Sequence, residues 1–463
     1  MKLSIREVLK STKGKLLTRG LENNISGIST DTRTLKKGEL YIALKGKNFD
    51  GHDFVGEAVE KGAVALMGHA RFKNLKYKIN IIQVKDTFEA LGDIAHFYRM
   101  KFDIPFIGIT GSNGKTTAKE MISKVLSDRF NVLKNVKTEN NIIGLSKTLL
   151  GLNGGHEIGV LELGTNHFGE IRRLAGILKP DFGIITNIGP AHLQFLKSKE
   201  GALKEKSELL RQLDRNGIAL LNADDILLAK IKGPKCKIVK FGIYKECDFK
   251  VTRIFRQNLK TEFRVNDKYD FKINLPGAHN IYNALTAVSV GLLYNIGYED
   301  IYKAFLGLEP VDGRLCFKKA GMLDVIDDTY NSNPQSLKMS VEILSNYKTS
   351  GRKILVCGDM LELGPAAVRF HTEAGKFIAA SGLDCLIAVG AFAEIIRDAA
   401  LSEGMPREKV FSCKDNARVL EVLKRVAEKD DVVLLKGSRS MRLDEVMNAL
   451  LSVVPIKRGV VRV

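Results

Sequence analysis

The glycine-rich segment GSNGKTT (111–117) carries the residue types that chemistry on phosphate groups requires. It follows an apolar, β-branched run at 104–110 and precedes apolar residues at helical spacing between 121 and 126, which predicts a strand, a loop and a helix. Backbone N–H groups at the start of a helix bind anions, and glycines let the chain approach them closely. We therefore predict a nucleotide phosphate loop in which Lys115 contacts the β- and γ-phosphates and the Thr116 hydroxyl joins a Mg²⁺ shell. The candidate loop residues are Gly111, Ser112, Asn113, Gly114, Lys115, Thr116 and Thr117.

The loop departs from the strict G-x-x-x-x-G-K-[ST] pattern, because Ile109 stands at the first glycine position. Gly111 therefore gives a shorter loop, which argues against a generic kinase or GTPase. The alternative is a glycine turn with a chance lysine, and the strand–loop–helix context disfavours it.

Two further side chains follow predicted strands and suit a metal near the phosphates. Glu162 lies near the end of the apolar run 158–163, and Mg²⁺ prefers carboxylate oxygens, so we expect Glu162 to be a second ligand. A solvated glutamate at a strand tip is the alternative. His192 follows a predicted strand and a Gly-Pro pair, where a loop would face the carboxyl edge of a sheet. On spacing alone, a structural histidine with satisfied hydrogen bonds is the better interpretation of His192.

Composition narrows the class of protein. The chain has 463 residues, of which 44% are hydrophobic, so we expect about three domains with a sizeable core. No apolar run is long enough to cross a bilayer, the N-terminus lacks a secretory pattern, and the six cysteines form no CxxC pair. These features predict a cytoplasmic protein with reduced thiols and no integral membrane segment. The net charge of +19 indicates an anionic partner or a lysine-rich surface, and the absence of Trp leaves little for stacking on nucleic-acid bases.

The order of predicted elements indicates an α/β protein of three domains. Short strands and helices fill residues 1–103, which form a small α/β domain. Residues 104–313 alternate buried strands with helices and end in an antiparallel meander at 247–277, which predicts a doubly wound, mostly parallel sheet with antiparallel additions. A second strand–helix series over 314–463 predicts a Rossmann-like domain. The predicted strands are 39–44, 63–67, 80–84, 104–110, 158–163, 182–188, 217–222, 323–328, 353–359, 384–390 and 431–438, and a helix is predicted at 87–100.

Beyond the phosphate loop, strings along nearly the whole chain resemble those of the Mur ligase superfamily, in family order. They are GITGSNGKTT, LELGTNHFGEI, TNIGPAHL, EGALKEKSEL, LNADD, PGAHNIYNALTA, DGR, IDDTYNSNP, GDMLELG and KGSRSM. The resemblance implies an ATP-dependent, Mg²⁺-assisted ligase that forms an amide bond through an acyl phosphate in peptidoglycan precursor synthesis. The strings DDTYNSNP, GDMLELG and KGSRSM are similar to those of the branch that uses UDP-N-acetylmuramoyl-tripeptide and D-alanyl-D-alanine. These small molecules would then be the partners of a monomer that binds no nucleic acid.

The resemblance also implies roles for individual residues. Lys115, Glu162, His192 and Lys206 would be catalytic, with Thr116, Glu162, His192 and Lys206 around Mg²⁺. Lys206 would be carbamylated, although an exposed lysine in the helical segment KEKSE is the plain alternative. The adenosine contacts would be Asn280, Arg314, Asp328 and Tyr330. The substrate contacts would be Thr30, Thr32, Arg33, Lys45, Gly46, Asp50, Gly51, His52, Thr138, Asn140, Asn141, Asn331, Asn333, Asp359, Glu362, Lys436, Ser438 and Arg439.

One segment departs from the family pattern, and other functions stay open. The loop at 137–147 is shorter than usual, and Ser146 stands where the family has proline. A sister ligase that adds a single amino acid, or an enzyme like folylpolyglutamate synthase, would share the phosphate loop. A nucleotide-regulated protein that binds nucleic acid would also fit the positive charge.

Overall fold

The computed structural model describes residues 1–46, 48–69, 77–136, 138–231, 235–257 and 260–452. The end of the predicted third domain, 453–463, lies outside the described residues, as do Lys47 and Lys137 of two predicted binding segments.

The N-terminal unit (residues 3–99) is built on a small mixed sheet. Its five-stranded sheet has the order β2-β7-β6-β5-β4, parallel except for the β2–β7 pair, and a separate two-stranded sheet pairs β1 with β3. The strands are β1 (Leu3–Ser4), β2 (Lys15–Thr18), β3 (Asn24–Ile25), β4 (Gly27–Ser29), β5 (Glu39–Ile42), β6 (Ala65–Gly68) and β7 (Asn80–Gln83); the helices are α1 (Ile5–Thr12), α2 (Val55–Glu60) and α3 (Thr87–Arg99).

The central unit (residues 106–306) carries a nine-stranded sheet with the order β16-β15-β14-β13-β12-β11-β8-β10-β9. The pairs from β14 to β9 are parallel, and β14, β15 and β16 form the antiparallel extension. The strands are β8 (Phe106–Thr110), β9 (Val132–Lys134), β10 (Ile158–Glu162), β11 (Phe182–Ile185), β12 (Ile218–Asn222), β13 (Lys237–Gly242), β14 (Phe249–Gln257), β15 (Lys260–Val265) and β16 (Tyr269–Ile273). The helices are α4 (Lys115–Leu126), α5 (Ile142–Leu150), α6 (Glu170–Leu178), α7 (Leu193–Leu196), α8 (Lys199–Arg211), α9 (Ala278–Leu293) and α10 (Tyr298–Leu306).

The C-terminal unit (residues 316–452) has a six-stranded sheet with the order β17-β18-β22-β19-β20-β21, in which only the edge pair β17–β18 is antiparallel. The strands are β17 (Cys316–Ala320), β18 (Leu323–Asp328), β19 (Lys353–Gly358), β20 (Cys385–Val389), β21 (Val410–Cys413) and β22 (Val432–Lys436). The helices are α11 (Pro334–Ser345), α12 (Ala367–Ala380), α13 (Ala393–Ser402), α14 (Asn416–Val426) and α15 (Leu443–Ser452).

The first two units share one apolar core. Leu91 and Ile94 of α3 are buried in the same cluster as Leu145 and Leu149 of α5. The Arg99 guanidinium, also on α3, donates from Nε to the Leu178 carbonyl at 2.8 Å. This packing joins the N-terminal sheet firmly to the sheet that carries the phosphate loop.

The domain boundaries near residues 103 and 313 stay a prediction. Each main sheet draws its strands from one of the three consecutive units.

The α/β fold class with a mostly parallel central sheet and antiparallel additions is confirmed. Eight strands were not predicted from the sequence: β1, β2, β3, β4, β9, β13, β17 and β21. Seven of them lie at a sheet edge or form the two-stranded sheet, and β13 is the interior exception. Most are only two to four residues long, and β17 (CFKKA) carries two lysines, so they show no long apolar run. Among the described residues, no helix is long and apolar enough to cross a membrane.

Candidate functional site

A cleft of about 990 Å³ opens between the central and C-terminal units. Its walls come from the carboxyl ends of central strands and from the loops after β18, β19 and β22, the usual place for a ligand in an open α/β sheet. The predicted residues that line it are Ser112, Asn113, Gly114, Lys115, Thr117, Asn140, Glu162, His192, Asn280, Arg314, Asp328, Tyr330, Asn331, Asn333, Glu362, Lys436, Ser438 and Arg439. The fold therefore brings together residues that lie more than 300 positions apart in the chain.

The phosphate loop is held in a conformation that needs glycine at both ends. Gly111 has φ +151°, and a Cβ there would lie 2.0 Å from Thr186 Oγ1. Gly114 has φ +82° and caps α4, and its Cβ would lie 2.4 Å from Asn283 Oδ1. The next strand connection fixes the loop, since Asn187 O accepts a hydrogen bond from the Ser112 N–H at 2.9 Å. The start of α4 is thus presented to the cleft as an anion-binding turn.

Lys115 is the first residue of α4 and points back over the loop. Its ammonium donates to the Gly111 carbonyl at 3.0 Å. Burial lowers the pKa of Lys115, and Glu162 acts in the opposite direction. The Lys115 ammonium therefore lies beside the loop, and it has no carboxylate partner within the described residues, so its charge is available to a bound anion.

Thr116 and Glu162 meet where the predicted metal site lies. Thr116 is fully buried, and its hydroxyl donates to Glu162 Oε2 at 2.7 Å. The other carboxylate oxygen, Oε1, accepts from Asn140 Nδ2 at 2.8 Å. Arg314 donates to the Thr116 hydroxyl at 2.9 Å, while its Nε is buried without a hydrogen-bond partner among the described residues. The hydroxyl and the carboxylate are suited to bind a metal cation, and the unused guanidinium donor beside them is suited to bind a phosphate oxygen.

Asn135 holds the backbone of Glu162. Its Oδ1 accepts from the Glu162 N–H at 3.0 Å, and its Nδ2 donates to the Glu162 carbonyl at 3.1 Å and to the Glu139 carbonyl at 2.9 Å. Asn135 is fully buried, so water does not compete for these hydrogen bonds. The same side chain thus ties the shortened loop, which contains Thr138 and Asn140, to the strand that ends at Glu162.

Lys206 lies buried on α8 rather than on an exposed face. Its exposed fraction is 2%, and that of Glu205 is 1%. Burial, together with the nearby charge of Lys115, lowers the pKa of Lys206 to about 7. Glu205 faces away to the start of α6, where its carboxylate accepts from the N–H groups of Gly169 and Ile171, each at 2.7 Å. An exposed lysine in a solvated helix, the plain alternative for Lys206, is wrong.

His192 links the two units that form the cleft. It has φ +55°, and its Nδ1 is hydrogen-bonded to Glu362 Oε2 in the loop after β19. The hydrogen bond from His192 lowers the pKa of Glu362. Gln194 N also donates to the Glu362 carbonyl at 2.9 Å, so side chain and backbone both join the loops.

The opposite wall of the cleft groups residues predicted to bind adenosine. Asn280 is buried, and its Nδ2 donates to the Pro276 carbonyl at 2.8 Å. The Arg314 guanidinium lies 4.3 Å from the centre of the Tyr330 ring, in a cation–π contact. The Lys436 ammonium donates to Asp328 Oδ2 at 2.5 Å, which pairs the ends of β22 and β18.

Two predicted residues of the C-terminal unit differ in their environment. Asp359 is buried, and its carboxylate accepts from the N–H groups of Ala391 at 2.8 Å and Phe392 at 3.0 Å, so it holds the turn after β20 and does not line the cleft. Ser438 does line the cleft, and its Oγ accepts from the Leu361 N–H at 2.8 Å. A substrate role for Asp359 stays a prediction, and its contacts with Ala391 and Phe392 are structural.

The predicted residues of the N-terminal unit lie apart from this cleft. His52 Nδ1 is hydrogen-bonded to Asp50 Oδ1 at 2.6 Å, Lys45 pairs with Asp50 at 3.8 Å, and the Thr32 hydroxyl donates to Glu57 at 2.9 Å. Eight residues of this unit were predicted to bind substrate, and none of them lines the cleft. They are Thr30, Thr32, Arg33, Lys45, Gly46, Asp50, Gly51 and His52. Gly111, Thr116, Thr138, Asn141 and Lys206 also lie outside its lining. Asn141 caps α5 by accepting from the Gly144 N–H at 3.0 Å.

Several residues of the cleft were missed by the sequence analysis. Asn283 lies against Gly114, and Gln335 accepts a hydrogen bond from Asn113. His279 lines the cleft, and burial lowers the pKa of its imidazole to about 4. Asn283 follows Asn280 by three positions on one helix face, a spacing that could have indicated it. Gln335 follows the capping segment Asn333–Pro334 and gives no signal in the sequence.

The donor set bears on how a metal could be held. No group of three or more His, Cys, Asp or Glu side chains converges to hold a metal ion within the described residues. The Thr116 hydroxyl and the Glu162 carboxylate are hard oxygen donors, and Mg²⁺ commonly binds through one or two such groups plus phosphate oxygens. The residues present therefore fit a Mg²⁺ ion that binds together with a nucleotide. They do not form a complete set of protein ligands around an ion.

Comparison with protein families covers most of the chain. The description "Mur ligase family, catalytic domain" matches residues 24–99, "Mur ligase middle domain" matches 109–291, and "Mur ligase, glutamate ligase domain" matches 313–439.

Curated relatives are similar over nearly the full chain. The UDP-N-acetylmuramoyl-tripeptide–D-alanyl-D-alanine ligase of Bacillus subtilis is 34% identical over 97% of this chain and 99% of its own length. The enzyme of the same name from Escherichia coli is 34% identical over 93% and 95%.

Solved structures have the same architecture. A crystal structure of MurF from Acinetobacter baumannii superimposes with a TM-score of 0.89 at 30% identity, and covers 97% of this chain and 99% of that one. MurF ligase from Thermotoga maritima, in complex with ADP, has a TM-score of 0.81 at 27% identity, with 94% and 97% covered.

Proposed function

The chain belongs to the Mur ligase family, and from that premise we propose that it uses ATP to join D-alanyl-D-alanine to UDP-N-acetylmuramoyl-tripeptide in peptidoglycan synthesis. The observation that carries the proposal is the cleft in which the phosphate loop of the central unit faces Lys436, Ser438 and Arg439 of the C-terminal unit. Two anionic substrates can meet there between cations from both units. Relatives named for this reaction, similar over nearly their whole length, support the same substrates.

The reaction proceeds in two transfers. The terminal carboxylate of the tripeptide attacks the γ-phosphorus of ATP, which breaks the bond to the β-phosphate and yields an acyl phosphate and ADP. The dipeptide amine then attacks the acyl carbon, loses a proton and expels phosphate. Because anions must approach one another, the chain contributes cations and positioning more than a nucleophile. Lys115 and the free Nε of Arg314 supply the positive charge beside the loop.

Thr116 and Glu162 would hold Mg²⁺, and His192 and a carbamylated Lys206 would complete its surroundings. When bound, the ion would neutralise phosphate charge as the γ-phosphoryl group transfers. Support comes from the 2.7 Å approach of the Thr116 hydroxyl to the Glu162 carboxylate, and from Asn140, which fixes the second carboxylate oxygen.

Lys206 is proposed to be carbamylated. An amine adds to CO₂ only when it is neutral, and a pKa of about 7 leaves much of Lys206 neutral near physiological pH. The ammonium first loses one proton to give the neutral amine. Addition of CO₂ then forms an N–C bond and releases a second proton, so that a cation is replaced by an anion. Beside Lys115, that exchange removes a repulsion.

The remaining assignments place the substrates along the chain. We assign residues 1–103 to the UDP end of the tripeptide substrate, 104–313 to ATP, and 314–463 to adenosine contacts and the dipeptide. Asn280, Asp328 and Tyr330 would contact the adenosine, and the loop with Thr138, Asn140 and Asn141 would face the tripeptide. We further propose that the protein is a monomer. We also propose a cytoplasmic location, which the six free cysteines support.

Product analysis tests the choice of acceptor. The full chain is incubated with ATP, Mg²⁺ and UDP-N-acetylmuramoyl-tripeptide, and each reaction receives D-alanyl-D-alanine, D-alanine, L-lysine or diaminopimelate. Mass spectrometry should find an extended product with D-alanyl-D-alanine alone. A product with a single amino acid and none with the dipeptide would assign the chain to a sister ligase.

A further inference from the structure

The side chain of Asn113, in the phosphate loop, is held from the C-terminal unit. Its Nδ2 donates to Gln335 Oε1 at 3.1 Å, and its Oδ1 accepts from Asn333 Nδ2 at 2.7 Å. The backbone of Asn113 is held from the central unit instead, since its carbonyl accepts from the Thr186 hydroxyl at 2.6 Å. One loop residue therefore joins both walls of the cleft, and the nitrogen and the oxygen of its side-chain amide each make a hydrogen bond to the C-terminal unit.

Gln335 also contacts the segment after β11 that braces the phosphate loop. A Cβ on Gly189 would lie 2.3 Å from Gln335 Oε1, so the glutamine packs directly on that glycine. The Gly189 N–H donates to Ser112 Oγ at 2.8 Å, and the Ser112 hydroxyl donates to the Gly189 carbonyl at 3.2 Å. Gln335 thus touches the loop through Asn113 and touches the backbone that braces Ser112.

The start of α11 fixes where Gln335 stands. Asn333 caps the helix by accepting from the Ser336 N–H at 2.9 Å, and the Ser336 hydroxyl accepts from the Asn333 N–H at 3.0 Å. Pro334 occupies the first helical position. This capping box does not use the Gln335 side chain, so the helix is expected to form without it.

We propose that Gln335 is a positioning residue that acts through Asn113, and that it fixes the phosphate loop for nucleotide when the C-terminal unit is docked on the central unit. The inference rests on the proposed function for the identity of the nucleotide. It makes the affinity for ATP and ADP depend on a residue of the C-terminal unit that lies outside the phosphate loop. Among the described residues, the hydrogen bonds of the loop backbone go to the central unit, so loss of Gln335 weakens nucleotide binding without abolishing it.

Calorimetry with ADP tests the proposal in the full-length protein. Loss of one neutral hydrogen bond predicts that Gln335→Ala raises the Kd for ADP and the KM for ATP about fivefold, with kcat changed less than twofold. Gln335→Glu, which keeps the shape but places a carboxylate beside an anion-binding loop, should raise both constants further. Lys338→Ala is the matched control, because Lys338 is exposed on the same helix and contacts Phe377.

A double-mutant cycle separates positioning from packing. In an Asn113→Ala background the Gln335→Ala change should alter the Kd for ADP less than twofold, since its partner is gone. An unchanged Kd for ADP in Gln335→Ala would overturn the proposal, as would equal effects in both backgrounds. A lower melting temperature with an unchanged Kd would assign Gln335 a structural role only. A wild-type chain that binds ADP but ligates nothing would refute the proposed function and leave this inference standing.

Discussion

Removal of the Lys115 ammonium should separate catalysis from folding. In Lys115→Ala the structure loses one hydrogen bond, to the Gly111 carbonyl, which contributes about 1 kcal/mol to stability. That loss is offset because the cation is partly desolvated, as its lowered pKa shows. We therefore expect the free energy of unfolding to change by less than about 1.5 kcal/mol.

The catalytic loss should be far larger. A preorganised donor aimed at developing charge contributes about 100- to 1000-fold to kcat, and Lys115 is the cation at the start of α4. ADP release and urea unfolding are measured side by side, with Lys124→Ala as control, because Lys124 is exposed on the last turn of the same helix. Activity retained within tenfold, or a stability loss large enough to explain the fall in activity, would refute the phosphate-loop assignment.

Three further outcomes follow from the geometry. Gly111→Ala places a Cβ 2.0 Å from Thr186 Oγ1 at φ +151°, so calorimetry should show a Kd for ADP raised about tenfold or more; unaltered binding would show that the loop tolerates a side chain. Asn135→Ala leaves the buried backbone of Glu162 unpaired, and urea unfolding should show a free energy lower by about 3 kcal/mol, whereas a loss below about 1 kcal/mol would contradict its bracing role. The pKa of His279 in the folded protein is about 4, so between pH 6.5 and 4 the unfolded chain binds more protons than the folded one. As the pH falls through that range, the free energy of unfolding should therefore decrease by up to about 3 kcal/mol. His279→Gln should flatten this part of the profile, and an identical slope would assign it to other groups.

The chemistry of the cleft could be predicted where local sequence determines local structure. The phosphate loop is such a case, since a buried strand, glycines at Gly111 and Gly114 and a following helix lie within one short segment. Glu162 is another, because a carboxylate at the end of a parallel strand faces the edge where ligands bind. Parallel strands with both faces covered appear as continuous apolar runs, so most of the central sheet was identified.

Residues whose environment depends on distant packing gave no such signal. Glu205 and Lys206 stand in a run of charged residues that reads as a solvated helix face, yet both are buried because α8 packs its charged side under the loops after β10. Gln335 meets Asn113 across 222 positions of chain, which no periodicity reports. The edge strand β17 was missed since its two lysines project from a sheet edge and break the apolar pattern.

Oxygen transfer during turnover is the most direct test of the proposed ligase reaction. The tripeptide substrate is labelled with ¹⁸O in both oxygens of its terminal carboxylate and incubated with the enzyme, ATP, Mg²⁺ and D-alanyl-D-alanine. Since one carboxylate oxygen bonds to the γ-phosphorus and leaves with phosphate, mass spectrometry should find one ¹⁸O in each phosphate released and one in the product amide. Phosphate released without label, or released equally when the dipeptide is omitted, would contradict the acyl-phosphate ligase.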